Sequence, residues 1–176
     1  MSDAARFEAF VREYQDMVFA TAVRLLGREA DAEDVAQTVF MRAFERFREL
    51  ASSPAVAGWL KTVTTNLCLN HLSRYRARWQ FFSDLSSVDS SPLSARVALM
   101  ASAPEELERL ERQEQLERAL RRLPDHQRVP LVLFHFEEMS YQAIGDALGI
   151  SITKVKSDIH RGREALKQEL TSRGSR

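Results

Sequence analysis

The chain predicts an all-α fold made of two small helical domains joined by a flexible linker. Three observations carry this. Glycine and proline are scarce, 6 and 5 among 176 residues, and alternating runs of valine, isoleucine and threonine are missing, so strands have little to build on. Apolar residues recur instead at three- and four-residue steps, the spacing of a helix that buries one side. From Ser83 to Pro104 that recurrence lapses in a serine-rich stretch with Asp84, Asp89 and Pro92, which reads as the linker.

The first helix is expected from about Ala4 to Leu26. Phe7, Phe10, Val11, Tyr14, Val18, Thr21, Ala22 and Leu25 form one apolar stripe, and Gly27 closes it. A second helix is expected from Asp31 to Phe47, with Asp31 as its cap and acidic residues in the first turn, where the helix dipole favours them. Its buried stripe is Ala32, Val35, Ala36, Val39, Phe40, Ala43, Phe44 and Phe47. Leu50 to Pro54 is a loop. A third helix runs from Pro54 or Ala55 to about Arg78, with Val56, Trp59, Leu60, Val63 and Leu67 inward.

Inside the linker, Phe81, Phe82 and the run Val97-Ala98-Leu99-Met100 are apolar enough to dock on a partner or a neighbouring domain. A helix resumes near Pro104, with Leu107, Leu110, Leu116, Ala119, Leu120 and Leu123 inward. Leu123-Pro124-Asp125 breaks it. Asp125 is the expected cap of the next helix, whose inner residues are Val129, Val132, Leu133 and Phe136. Pro130 removes one backbone donor early in that helix and can bend its axis.

The last quarter is the most informative stretch. Ser140 is a natural N-cap before Tyr141-Gln142-Ala143-Ile144, and Ala143, Ile144, Ala147 and Leu148 fall at helical spacing. Gly149 supplies the left-handed residue that ends a helix. Ser151 is a second cap, followed by Ile152, Val155, Ile159 and Leu166 along one side. The other side carries Lys154, Lys156, Ser157, His160, Arg161 and Arg163. Two caps, a turn glycine and one-sided cations describe a helix-turn-helix that presents its second helix to a DNA major groove, rather than a solvated hairpin.

Charge is sorted along the chain. The formal net charge is zero, whereas proteins that hold DNA unaided are usually basic. From Leu50 through Ser83 there is no acidic residue, and Lys61, Arg74, Arg76 and Arg78 are present. Glu105, Glu106, Glu108, Glu111, Glu114 and Glu117 crowd the connector beyond. Two basic patches flanking an acidic connector imply two DNA contacts and a further macromolecule that helps to hold the DNA.

Catalytic chemistry finds no footing in these residues. The four histidines, His71, His126, His135 and His160, lack metal-ligand spacing, no glycine-rich phosphate loop occurs, and neither a metal nor a cofactor is expected. One cysteine, Cys68, excludes a disulfide framework and is expected in the core, consistent with a reducing cytoplasm. No signal peptide and no membrane-spanning run is read.

Two further surfaces carry unusual residues. On the third helix, Thr62, Asn66, Asn70, Ser73 and Arg74 are expected opposite Trp59 and Leu60. Asparagine is a poor helix former, and its amide can both donate to and accept from a base edge. The neighbouring Ser52-Ser53 loop, free of acidic groups, suits a base taken out of the stack. On spacing alone, two merely solvated asparagines explain the pattern equally well. On the second helix Asp31, Asp34, Gln37, Thr38, Met41, Arg42 and Glu45 face outward. An exposed methionine among acidic groups suits a protein partner better than DNA, and an ordinary mixed solvated face explains the pattern equally well at this point.

On these residues the chain resembles the extracytoplasmic-function branch of bacterial RNA polymerase sigma factors. The segment from Asp31 to Phe40 looks like the family's core-polymerase-binding helix. The segment from Trp59 to Leu72 resembles its helix that reads the minus-ten element. Leu123-Pro124, Ser140 to Gly145 and Lys154 to Arg163 look like its minus-thirty-five domain. The resemblance implies minus-ten contacts at Ser52, Ser53, Thr62, Asn66, Asn70 and Arg74, with Asn66 beside a flipped base and the loop at Ser52 to Val56 helping to form its pocket. It implies minus-thirty-five contacts at Lys154, Lys156, Ser157, His160 and Arg161, and core-polymerase contacts at Asp31, Asp34, Gln37 and Met41. Thr38 stands where the family commonly has an acidic residue. Asp158 places an anion on a helix that approaches phosphates, so its side chain must turn away.

The expected organisation is a domain at 1–80, a flexible acidic linker at 81–112 and a helix-turn-helix domain at 113–172. The implied partners are promoter DNA, the clamp coiled coil and flap of core polymerase, and an anti-sigma protein. The free chain is expected to be monomeric, cytoplasmic, outside the membrane and without enzymatic activity. Two other readings stay open at this point. One is a free-standing helix-turn-helix regulator with an N-terminal dimerisation or sensing domain; the other is an adaptor that binds polymerase but not promoter.

Overall fold

The computed structural model describes residues 2–79 and 104–173, and the side chains of residues 74–79 and 173 fall outside the described residues. The chain divides into two compact units, Met1–Asp84 and Leu85–Arg176. All regular structure among the described residues is α-helical. The expected linker and its apolar runs lie outside the described residues, except for the stretch from Pro104 onward.

The first unit is built from α1 (Asp3–Leu26), α2 (Glu29–Glu45), the single turn α3 (Phe47–Leu50) and α4 (Val56–Trp79). The hydroxyl of Ser2 accepts from the Ala5 amide and so caps α1. Gly27, at φ 72°, returns its N–H to the Val23 carbonyl and ends the helix as expected. α1, α2 and α4 pack on one another through Val18, Ala22, Leu25, Ala32, Val39, Ala43, Leu60 and Cys68, each essentially inaccessible to solvent. Around one end of α1 the rings of Phe7, Phe10, Tyr14, Phe44 and Phe47 meet at centroid distances of 4.9 to 5.9 Å.

Three sequence expectations need correcting here. α2 starts at Glu29 with Arg28 at the cap position and no side-chain cap bond; Asp31 instead lies within the first turn. The helix also stops at Glu45, and Phe44 is 60% exposed although it belongs to the expected apolar stripe. The inner face of α4 is rotated from the expected one. Leu60, Thr64, Thr65 and Cys68 are buried with Val56, whereas Trp59, Val63 and Leu67 are half-buried. Trp59 therefore flanks the asparagine row instead of opposing it. Thr64 tolerates burial because its hydroxyl donates to the Leu60 carbonyl at 2.6 Å.

The second unit comprises α5 (Pro104–Arg122), α6 (Asp125–His135), α7 (Tyr141–Leu148) and α8 (Ile152–Arg173). Residues 104–112 of the expected linker thus belong to a helix. Its glutamates are good helix formers, and Glu108–Arg112 and Glu114–Arg118 pair one turn apart. Leu107 remains 41% exposed, and burial begins only at Ala119 and Leu120. At the break, Pro124 takes the cap position and Asp125 lies inside α6. The buried guanidinium of Arg128 donates from Nη1 to the Leu123 carbonyl at 2.9 Å and from Nη2 to the Asp125 carboxylate. α8 packs against α5, α6 and α7 and forms the spine of the unit.

Candidate nucleic-acid interface

The helix-turn-helix is assembled as its local chemistry dictates. The Ser140 hydroxyl accepts from the Ala143 amide at 3.1 Å and caps α7. Gly149, at φ 67°, closes α7 with its N–H on the Gly145 carbonyl. The Ser151 hydroxyl then accepts from the Lys154 amide at 3.1 Å and starts α8. Gly145 is required for another reason: a β-carbon there would stand 2.8 Å from the Ile150 carbonyl oxygen. The turn backbone crosses α7 at a distance only glycine permits.

α8 has two unlike sides. Val155, Asp158, Ile159 and Gly162 are buried. Thr153, Lys156, His160 and Arg161 are exposed on the opposite side, and Ser157, half-buried, lies among them. Ile152, expected inward, is 38% exposed. Asp158 does turn away from the open side, and it takes Lys154 with it. The Lys154 ammonium lies 2.8 Å from the buried carboxylate.

Aromatic rings back the open side. The Lys156 ammonium sits 5.6 Å from the centre of the Tyr141 ring. Tyr141 stacks on Phe134 at 4.7 Å with 12° between planes. The Arg163 guanidinium lies 5.7 Å from the Phe134 centroid, and its Nε donates to His135 Nε2 at 3.0 Å. Desolvation, then the neighbouring Arg163 charge, lowers the His135 pKa from the ordinary histidine value. A neutral imidazole is the form able to accept that bond.

In the first unit Thr62, Asn66 and Asn70 are exposed at four-residue intervals, with Ser73 beside them, so they form one row on α4. Asn66 lies ten residues beyond Val56, roughly 15 Å along the helix axis. Ser52 is exposed in the loop before α4. Ser53 is partly committed, because its hydroxyl accepts from the Ala55 amide at 3.2 Å. The Arg74 side chain lies outside the described residues.

The outer face of α2 separates the expected polymerase contacts. Asp34 and Gln37 are exposed and Met41 is 68% exposed. Asp31 is half-buried, with its carboxylate 3.6 Å from His71 of α4. It faces α4 instead of sharing the outer row. Phe44 joins that row in its place, a residue that apolar periodicity had assigned to the core. Thr38 donates its hydroxyl to the Asp34 carbonyl at 3.1 Å.

Among the described residues no group of three or more His, Cys, Asp or Glu side chains is placed to hold a metal ion, and no helix is long and apolar enough to cross a membrane. Residues 10–78 match the Sigma-70 region 2 family model, and residues 113–166 match Sigma-70 region 4. The ECF RNA polymerase sigma factor SigW of Bacillus subtilis (strain 168) is 28% identical over 96% of this chain and 90% of its own length. The RNA polymerase sigma-E factor of Streptomyces avermitilis is 31% identical over 97% of this chain and 88% of its own length. The ECF RNA polymerase sigma factor SigE of Mycolicibacterium smegmatis is 34% identical over 96% of this chain, which spans 63% of that protein. A solved structure of the sigma factor RpoE from Bartonella quintana, in complex with the anti-sigma factor NepR, shares the fold at 22% identity. Its TM-score is 0.52, over 94% of this chain and 96% of that one. With regions 2 and 4 in order on one polypeptide and relatives matched nearly end to end, the chain belongs to the extracytoplasmic-function branch of bacterial RNA polymerase sigma factors.

Proposed function

We propose that this sigma factor reads its promoter through two separate surfaces, the Thr62–Asn66–Asn70 row of α4 and the open side of α8. As a sigma factor it directs core polymerase to specific promoters and initiates transcription there. The observation that carries the reading is the two-sided character of α8. Val155 and Ile159 hold it against the unit, while Lys156, His160 and Arg161 project from the opposite side at groove-reading spacing.

In this reading residues 113–172 bind the minus-thirty-five duplex through Lys156, Ser157, His160 and Arg161, with Lys154 contributing less because Asp158 holds it. Residues 1–80 capture a base of the minus-ten element at Asn66, with Thr62 and Asn70 on either side of it in the row, while Arg74 farther along α4 and the Ser52-Ser53 loop, roughly 15 Å back before the helix start, meet neighbouring nucleotides. Asp34, Gln37, Met41 and Phe44 meet the clamp coiled coil, and the second unit meets the flap. Asp31, turned toward His71 of α4, lies behind this row. Each DNA contact is weak alone, and the polymerase joins them by effective concentration. The chain works in the cytoplasm as a monomer, without a cofactor or catalysis of its own. An anti-sigma protein that covers both polymerase surfaces is the matching regulator.

The test is run-off transcription with purified core polymerase on DNA upstream of the chain's own coding region. Asn66→Ala is expected to lower open-complex stability by about 1–3 kcal/mol, the worth of one specific base contact, and to leave core binding intact. Unchanged transcription by that variant removes Asn66 from the site. Tight protection of duplex DNA by a dimer without polymerase supports a free-standing regulator instead.

A further inference from the structure

We propose that Tyr141 and Phe134 are positioning residues for DNA reading: they form a cation–ring–ring–cation stack that fixes the direction of Lys156 on the open side of α8. The inference rests on the assignment of that side to the minus-thirty-five element. It adds residues from α6 and α7 that no base or phosphate need touch.

The stack runs through three helices in sequence. Lys156 of α8 stands 5.6 Å from the Tyr141 ring centre, Tyr141 of α7 lies nearly parallel to Phe134 of α6, and Arg163 of α8 covers the far ring at 5.7 Å. The Arg163 end is pinned by its bond to His135. Both rings are half-buried, so neither is free to swing away, while Lys156 and Arg163 remain exposed.

A lysine is otherwise a poor reader of sequence. Its ammonium is a point charge on a stem with four rotatable bonds, and it follows any nearby phosphate. Resting the ammonium near a ring face removes much of that freedom before DNA arrives and leaves N–H groups free to donate. A lysine held in one direction favours the base edge it points at over its neighbours. Tyr141 and Phe134 therefore act on specificity, through Lys156.

The experiment uses holoenzyme reconstituted from the full chain and core polymerase. The probe is a pool of promoter duplexes with a randomised minus-thirty-five element. Lys156→Ala is expected to lose base preference at one or two positions. Tyr141→Leu is expected to weaken binding to the enriched sites by about two- to fivefold, the range of one exposed cation–π contact, and to blur the same positions. Tyr141→Phe keeps the ring face and is expected to select like the parent. In the Lys156→Ala background, Tyr141→Leu should add nothing.

Circular dichroism melting of each variant identifies loss of folding, and in that event Phe134→Leu replaces Tyr141→Leu as the second probe of the stack. If Lys156→Ala alters selection but folded Tyr141→Leu does not, the stack has no positioning role and the groove assignment stands. If Tyr141→Phe is as impaired as Tyr141→Leu, the hydroxyl acts and the proposal is overturned. If Lys156→Ala itself changes nothing, the groove assignment of Lys156 and the stack proposal fall together.

Discussion

Lys154 and Asp158 face each other one turn apart on α8, Nζ to Oδ2 at 2.8 Å, with the carboxylate side chain 4% exposed and the lysine 52% exposed. An anion on a DNA-reading helix is tolerable here because it is turned inward and neutralised. The pair commits Lys154, as the His135 bond commits Arg163, and leaves Lys156 and Arg161 exposed on the open side for phosphates or bases.

The division has a salt signature. Each phosphate neutralised by a cation adds about 0.9 to the slope of log affinity against log salt. Lys156→Ala or Arg161→Ala should lower the slope of holoenzyme binding by up to about one unit. Lys154→Ala should leave it nearly unchanged while destabilising the second unit by about 1–3 kcal/mol, because a buried carboxylate loses its partner. Titrating promoter affinity from low to high salt, beside urea unfolding, checks both halves.

Glycines predict opposite signs at two places. A methyl at Gly145 would meet the Ile150 carbonyl oxygen at 2.8 Å, and that oxygen belongs to the turn backbone. Gly145→Ala should therefore cost about 1–3 kcal/mol, as overpacking does, and weaken promoter binding with it. At Gly58, exposed in the first turn of α4, nothing lies within 4 Å of the added methyl. Gly58→Ala should stabilise the first unit by up to about 1 kcal/mol through helix propensity. Urea midpoints of the two variants against the parent decide this.

These residues also show why part of the molecule was legible in its sequence. Gly27, Ser140, Gly149 and Ser151 act within their own turn, so composition and spacing suffice to read them. The inner face of α4 was not legible. Apolar residues occur nearly all round that helix, and Thr64 and Thr65 enter the core in place of Trp59 and Val63. Thr64 hides its polarity by bonding its own helix, which no spacing rule anticipates. The inward turn of Asp31 and the structural role of Arg128 were not legible for a related reason. Charge reads as surface until the partner across the fold, His71 for one and the Leu123 carbonyl for the other, is known. The stack of Phe134, Tyr141, Lys156 and Arg163 joins three helices, so no window of sequence contains it.

Arg128 makes a stability prediction of its own. Its side chain is 3% exposed, and its guanidinium holds the α5–α6 break by bonds to the Leu123 carbonyl and the Asp125 carboxylate. Two charge-assisted bonds in a buried position are worth about 2–4 kcal/mol when lost together. Arg128→Ala should lower the stability of the second unit by that amount. Arg128→Lys should recover little of it, since an ammonium cannot reproduce the planar fork. Equal stability of the lysine variant and the parent would show that charge, not geometry, holds the break.

His135 makes the stability of the second unit depend on pH. Its pKa in the fold is lowered by desolvation and by Arg163, and the neutral ring accepts the Arg163 bond. In the unfolded chain an ordinary histidine takes up its proton near pH ~6.5. Above that value both states are neutral at this position and the contribution is fully present. As pH falls below it, the unfolded chain binds a proton that the folded unit resists, so the contribution declines until pH passes the folded value. His135→Gln keeps an acceptor but has no proton to gain. The urea midpoint of the parent should therefore fall relative to that of His135→Gln between pH 7.5 and pH 5. A difference between the two proteins that stays constant over this range would mean that the Arg163 contact is not made through a neutral imidazole in solution.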